Sequence, residues 1–470
     1  MLLPVYTRAL SPDDYGVIAL LDIAISALSI VVAAGVGAAA TRAHFSATTE
    51  AERDRVWWTA LLLVSATAVV ELLPIFLARS VLARALFGAE LNAGEYFVAL
   101  ALLTLLFNVV DSIFQAHIRA RKASALFLKV SSGRLFLNIA LNLWFLLAMK
   151  LGVAGLLWGN LVTSVVALAV DAAVFARQRG PIALSGGLVR EFWSFGWPLI
   201  VTGLLSTLMH DGDKYLLRRF LDLHQVGLYS VAYQIGQGVN TLVLLPFSLI
   251  WSVLIYEIAE EPSARRTYAL VFEYFVYGLS LLLLLVSIAA RPLLRVLAPP
   301  DYEPAADLIP VICLGYLFFS AHGHFNVPAL LSRRTVALLP VYAAAVAANV
   351  SANLLLIPRF GPKGAAWATV VAFAVFAGAG LRQYRRIDVY PYDFRACVGA
   401  VVGMVVTYLV VRSILDLAAH EWVGYVIAAT LWLGWVFLLF GKAANQLLPE
   451  LGLVLRRIGK STSSGDSQQA

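Results

Sequence analysis

Thirteen apolar stretches, each near the roughly 20 residues needed to cross a bilayer, constrain this chain more than any motif in it. They run near 15–39, 56–79, 95–118, 123–149, 151–177, 192–220, 226–256, 267–290, 305–330, 335–358, 362–381, 395–416 and 421–441. Hydrocarbon offers no partner to a backbone N–H or C=O, so lipid tolerates only helices and closed barrels. Apolar runs this long lack the alternation of barrel strands. The chain reads as an all-α polytopic membrane protein. Only 13% of its residues are charged, about half the share of a soluble domain. No loop exceeds about 20 residues, which leaves no room for a soluble catalytic or nucleotide-binding domain.

Orientation follows from Lys and Arg, which concentrate on the cytoplasmic side. Of the 35, one set of loops holds 22, near 42–55, 119–129, 177–190, 265–266, 333–334, 382–395 and 442–460. The opposite set holds 12, and Arg134 lies inside a span. The first set and the C-terminus are therefore placed in the cytoplasm. The net charge of +7 mostly reflects this bias and points to no nucleic acid. Cys313 and Cys397 fall within spans and carry no redox or metal signal.

The chain also nearly reads twice. Arg8, Leu10 and Gly16 recur 211 residues on as Arg219, Leu221 and Gly227, and Asn138 and Asn142 recur as Asn349 and Asn353. With a two-residue slip, Gly152, Gly155 and Trp158 match Gly361, Gly364 and Trp367. Two same-way-up bundles of about six spans are a transporter architecture, with the substrate site between the halves. The expected division is an N-terminal lobe at 1–180, a C-terminal lobe at 190–385, an extra helix pair at 395–441 and a cytoplasmic tail at 456–470. In the second copy a full helix (192–220) precedes Gly227, whereas 15 residues precede Gly16. Residues 1–10 thus read as the outer end of a helix whose body is largely missing. The natural reading frame is expected to start further upstream, which N-terminal sequencing of the native protein would check.

Three of the repeated words carry a family resemblance. Residues 3–20, LPVYTRALSPDDYGVIAL, resemble the segment linking the first two helices of bacterial polysaccharide flippases. Residues 195–233 resemble the start of their second half, with an Asp213-Lys214-Tyr215 step followed by Gly227-Leu228-Tyr229. Residues 349–369, NVSANLLLIPRFGPKGAAWAT, resemble their Asn-rich helix, glycine loop and Gly-Ala-Ala-Trp helix start. The likeness is to the polysaccharide-transporter (Wzx-type) branch of the MOP superfamily, which also holds MATE drug exporters and lipid II flippases. It implies two six-helix lobes in a pseudo-two-fold V plus a final helix pair, in a bacterial cytoplasmic (inner) membrane. It also implies an undecaprenyl-pyrophosphate-linked oligosaccharide as cargo, for O-antigen or exopolysaccharide synthesis, with a polymerase and glycosyltransferases as neighbours. A monomer is expected, and no cofactor.

Flipping breaks no bond, so the residues to find are polar and cationic groups along a wet path. Ionisable groups inside spans are costly, roughly 2.5–3.5 kcal/mol each. Arg134 lies about 16 Å into its span at 1.5 Å per residue, close to the midplane. Ser131, Arg134, Asn138 and Asn142 share one helical face, and Ala345 replaces the arginine in the second copy. Either Arg134 meets an anionic cargo, or it pairs with a buried acid such as Asp111. The Asn pairs also fit interhelical hydrogen bonding. Asp111 and His322 are 211 apart and could couple transport to protons, or be satisfied polar groups. His322-Gly323-His324 suggests a break or a close helix approach. His210, Lys214 and Arg218 form a possible basic ladder at the outer exit, with Asp211 and Asp213 near enough to neutralise part of it. Trp57, Trp58, Trp193 and Trp197 fit a cytoplasmic aromatic belt, and Tyr229, Tyr233 and Gln234 could meet sugar. Glu257, Glu260, Glu261, Arg265 and Arg266 form a solvated charge run or an inner gate.

No GxxxxGK[ST], HExxH, CxxC or Gly-x-Ser-x-Gly occurs, so ATP, zinc and serine-nucleophile chemistry have no recognisable seat. A lipid-linked oligosaccharide flippase working by alternating access is the leading reading. A cation-coupled exporter should show an acidic, aromatic cavity, and a lone midplane arginine argues against one. A membrane glycosyltransferase needs an acidic pair and a sizeable external loop, and neither is visible. A lipid II flippase is a third rival, which the sequence does not exclude.

Overall fold

A computed structural model describes residues 3–88, 91–177, 182–259, 261–332, 338–417 and 421–440. Arg179, Glu260, Arg333, Arg334, Lys442, Arg456, Arg457, Lys460 and the tail at 456–470 lie outside the described residues. Among those described the regular structure is helical throughout. In order the helices are α1 (Leu3–Ala9), α2 (Pro12–Ala33), α3 (Val36–Ser46), α4 (Glu50–Leu77), α5 (Arg79–Phe87), α6 (Gly94–Ala120) and α7 (Ser124–Leu143). Then come α8 (Gly152–Ala176), α9 (Gly186–Phe220), α10 (Leu223–Val239), α11 (Leu245–Ile258), α12 (Ala264–Ile288) and α13 (Ala290–Leu297). The last are α14 (Ile309–Phe325), α15 (Val327–Leu331), α16 (Leu338–Phe360), α17 (Pro362–Tyr384), α18 (Phe394–Leu417) and α19 (Glu421–Phe440).

Among the described residues twelve helical runs are long and apolar enough to cross a membrane. The remaining expected span, 305–330, is broken: a 3-10 stretch, Pro300–Asp307, meets Ile309–Leu331 at 46°. Pro299, Pro300, Pro304 and Pro310 explain it, since each lacks an N–H and pushes its predecessor out of the helical region. The first span is a single run, Pro12–Ser46, interrupted where Ala34 and Gly35 take φ of 45° and 66°. Helix α9 crosses at that point. A Cβ at Gly196 would sit 1.8 Å from the Ala34 carbonyl oxygen, so only glycine permits the approach.

The chain forms two compact units. One comprises 1–231, 297–302 and 345–372; the other 232–296, 303–344 and the described part of 373–440. In the first unit α6 packs against α4 and α8, and α2 and α3 pack against α9. In the second, α12 packs against α14 and against the final pair α18 and α19. Trp432 on α19 donates its indole N–H to the Leu281 carbonyl at 2.8 Å.

The sequence repeat reappears as geometry within the first unit. A Cβ at Gly16 would lie 2.2 Å from the Leu223 carbonyl oxygen, and one at Gly227 would lie 1.7 Å from that of Pro12. Both pairs are related by the offset of 211. Each glycine thus receives the other copy's helix start, as in a two-fold contact. The caps repeat too. Ser11 Oγ accepts from the Asp14 N–H at 3.2 Å, and Asp222 Oδ1 accepts from the Gln225 N–H at 2.9 Å. A side-chain oxygen at the N-cap satisfies a donor the helix itself leaves open.

Candidate functional site

Three neighbouring helices of the first unit each carry a polar stripe on an otherwise apolar surface. Asn108, Asp111 and Gln115 lie on one face of α6; Arg134, Asn138 and Asn142 on α7; Asn160, Ser164 and Asp171 on α8. The stripes meet. Arg134 donates through Nη1 to Asp111 Oδ2 at 2.6 Å and through Nη2 to Asn108 Oδ1 at 2.6 Å. Ser164 Oγ donates to Asn108 Oδ1 at 2.8 Å. Gln115 donates to the Asp171 carboxylate, and Asp111 Oδ1 and Asp171 Oδ1 are buried with no hydrogen-bond partner among the described residues.

Arg134 is therefore not the lone midplane cation that the sequence reading set against an exporter. It takes the alternative that reading also named, a pair with Asp111. The pair is asymmetric in burial: the Asp111 side chain is 1% exposed and that of Arg134 32%. One flank of the guanidinium stays open, with two of its five N–H groups engaged by Asp111 and Asn108.

Further along the stripe, Asn138 Nδ2 donates to Asn160 Oδ1 at 2.9 Å. Asn142 Nδ2 donates to Asn138 Oδ1 at 3.1 Å and to the Tyr6 hydroxyl at 3.2 Å. Gly159 lets α8 approach: a Cβ there would lie 2.0 Å from Asn142 Oδ1. These amides join α1, α7 and α8, the role polar residues often take between membrane helices. In the second copy Asn353 Nδ2 bonds within its own helix, to the Asn349 carbonyl at 2.9 Å and to Asn349 Oδ1 at 3.0 Å.

The other expected site residues separate. Lys214 Nζ is held by Asp211 at 2.6 Å. Asp213 turns away from the ladder and accepts from Tyr229 and from Thr369 at 3.2 Å, joining the second and third of the resembling motifs in one buried knot. Arg218 donates to the carbonyls of Phe87 and, at 3.1 Å, Leu221. His210 lies on the same helix, half-buried. The ladder is thus an ion pair and a backbone staple, not a free row of cations. His322, 211 residues from Asp111, sits in the second unit among aromatics. Its ring stacks on Phe376 at 3.7 Å and its Nε2 is 3.2 Å from the Tyr384 hydroxyl. A Cβ at Gly380 would lie 2.7 Å from its ring, so the close helix approach expected around His322-Gly323-His324 is present. The break also expected there comes just after it, at Asn326, between α14 and α15.

Two aromatic expectations are corrected. Tyr229 and Tyr233 are fully buried and present no face to a sugar. Trp57 is likewise fully buried, donating to His44 Nδ1 at 3.2 Å, whereas Trp193 and Trp197 are exposed as a belt requires. Asn108, Gln115, Asn160, Ser164 and Tyr6 were missed as site residues. The three-and-four spacing of 108, 111 and 115, and of 160, 164 and 171, was the signal available for most of them.

A polytopic all-helical protein with a buried polar cluster and two repeated halves is a membrane transporter in class. Residues 5–297 match the family described as "Polysaccharide biosynthesis protein". The chain belongs to this family. A solved structure described as lipid II flippase MurJ in an inward closed conformation superposes with a TM-score of 0.72 at 11% identity, covering 94% of this chain and 99% of that one. An inward-facing multidrug resistance MATE family transporter of the MOP superfamily superposes with a TM-score of 0.67 at 14% identity, covering 82% and 92%. At these identities the likeness is one of fold. An uncharacterized membrane protein, MJ1068, of Methanocaldococcus jannaschii is 27% identical over 209 residues, 43% of this chain. The chain spans 40% of the length of that curated relative.

Proposed function

We propose that this protein flips a lipid-linked oligosaccharide repeat unit, carried on undecaprenyl pyrophosphate, from the inner to the outer leaflet of a bacterial cytoplasmic membrane. It works by alternating access of the lobes at 1–180 and 190–385, as a monomer, and supplies a polysaccharide polymerase. Membership of the polysaccharide biosynthesis family is the observation that carries the reading. The cluster around Arg134 supports it: a glycan and a pyrophosphate need hydrogen-bonding groups within the hydrocarbon, and Arg134 keeps an open flank there. In this reading Arg134, Asn138 and Asn142 contact cargo. His210, Lys214 and Arg218 lie towards the exit. Asp111 and His322 couple transport to protons, with Asp171 on α8 a second buried acid. That acid pair also favours a second reading, a cation-coupled exporter of small molecules, because acidic sites inside spans bind cations and protons.

Deletion of the gene separates the two. The flippase reading expects loss of surface glycan and accumulation of its lipid-linked precursor, restored by the wild-type gene. It expects no restoration by Arg134→Ala and partial restoration by Arg134→Lys, which keeps charge but loses the planar two-pronged grip on phosphate. Intact surface glycan together with new sensitivity to cationic drugs would turn the assignment to the exporter.

A further inference from the structure

A second cationic feature lies away from that cluster, at the end of the spans that the Lys/Arg bias places outside. The last turns of α5 and α9 enclose a cavity of about 240 Å³ lined by Arg84, Leu86, Gly88, Tyr215, Arg218 and Arg219. At roughly 30 Å³ per water, it has room for a group of several heavy atoms. No acid lines it. Arg218 is committed to the backbone at Phe87 and Leu221. Gly88, with φ of +80°, makes the space: a Cβ there would lie 2.9 Å from the Arg218 guanidinium. Arg84 makes one long bond, to the Ser80 carbonyl at 3.3 Å. Arg219 makes no hydrogen bond or ion pair among the described residues.

Helix C-termini attract cations, but two of them carry about half a negative charge each. Three arginines leave roughly two positive charges unanswered. The other copy shows that stapling these helix ends needs no cation. At the positions 211 residues away, Thr7 stands for Arg218 and donates to the Leu297 carbonyl at 2.7 Å. Arg295 stands for Arg84 and is neutralised by Glu303 at 3.1 Å, where the first copy has Asn92. Around this cavity the second copy has added an arginine, Arg218, and the first copy has Asn92 in place of the acid. The rim is apolar: Val81, one turn from Arg84, Tyr215 and Phe220 are exposed. An anion reaching this place would arrive on a lipid.

We infer that the Arg84–Arg218–Arg219 cavity binds the phosphate headgroup of a lipid at the outer surface of the membrane. Arg84 and Arg219 grip it, and Arg218 fixes the cavity wall. Its assignment to the diphosphate of a delivered polyprenyl carrier rests on the flippase reading; an anionic phospholipid offers the same chemistry.

The test uses the full-length protein in phosphatidylcholine nanodiscs with radiolabelled farnesyl pyrophosphate as probe. Arg84→Gln with Arg219→Gln should weaken binding about tenfold or more, the loss of charge-assisted bonds to phosphate. Arg8→Gln with Arg295→Gln, at the matching positions, should change it less than twofold. A parallel arm titrates phosphatidylglycerol into the nanodiscs. Displacement of the probe at a few lipids per protein assigns the site to phospholipid; failure to displace assigns it to the diphosphate carrier. Equal binding by wild type and the Arg84/Arg219 variant, or equal weakening by both double variants, overturns the proposal. Normal surface glycan in the deletion strain with arginine-dependent binding retained would sink the flippase reading and leave this site standing.

Discussion

Arg134 shows how a residue's neighbours decide its meaning. An arginine deep in a span is either a contact for an anion or half of an ion pair, and the sequence offers no way to choose. Its bonds to Asp111 and Asn108 make it the centre of a polar cluster that also contains Gln115 and Asp171. A double-mutant cycle with Arg134→Gln and Asp111→Asn should show coupling of roughly 1–2 kcal/mol in unfolding from detergent, the upper range for polar contacts between membrane helices. Additive effects would show that the pair is not formed. The residues of this cluster were half legible. The α7 stripe stood out because an arginine inside a span is rare. Asp171 stood alone in the sequence, because its partner Gln115 lies 56 residues away. The aromatic ring of Tyr229 gave no hint that its hydroxyl would be spent on Asp213.

At the scale of elements, glycines govern where helices cross. Gly16 and Gly227 each admit a carbonyl oxygen closer than any Cβ allows. Gly227→Ala should cost about 1–3 kcal/mol by overpacking, and Gly16→Ala a similar amount. Gly378→Ala, on α17 with no heavy atom near its would-be Cβ, should instead stabilise by roughly 0.5–1 kcal/mol. Thermal unfolding midpoints in one detergent would rank the three, and a Gly227→Ala protein as stable as wild type would refute the contact. The two glycines were visible as a repeat, but their facing each other was not, since a repeat gives correspondence and not contact. Prolines in the 299–310 region were equally visible. That they would break a span into a 46° bend depends on how the chain resumes at Ile309.

For the whole molecule, the Lys/Arg bias makes a topological prediction. A cysteine replacing Thr48, in the loop between α3 and α4, should react with a membrane-impermeant maleimide only after the cells are opened. One replacing Asn92, ahead of α6, should react in intact cells. Cys313 and Cys397 are buried and give little background. Reversed labelling would invert the proposed direction of transport. Hydrophobic length alone determined that the chain is a bundle of membrane helices, because lipid leaves the backbone no other way to satisfy its hydrogen bonds. The offset of 211 determined that the bundle is built twice. Tertiary structure alone decided which polar groups answer one another: an acid against Arg134, a glutamate against Arg295, and, among the described residues, no acid lining the cavity that holds Arg84 and Arg219. Spacing along a helix fixes the face on which a side chain lies, whereas the charge it meets is set by a different helix, brought alongside by packing.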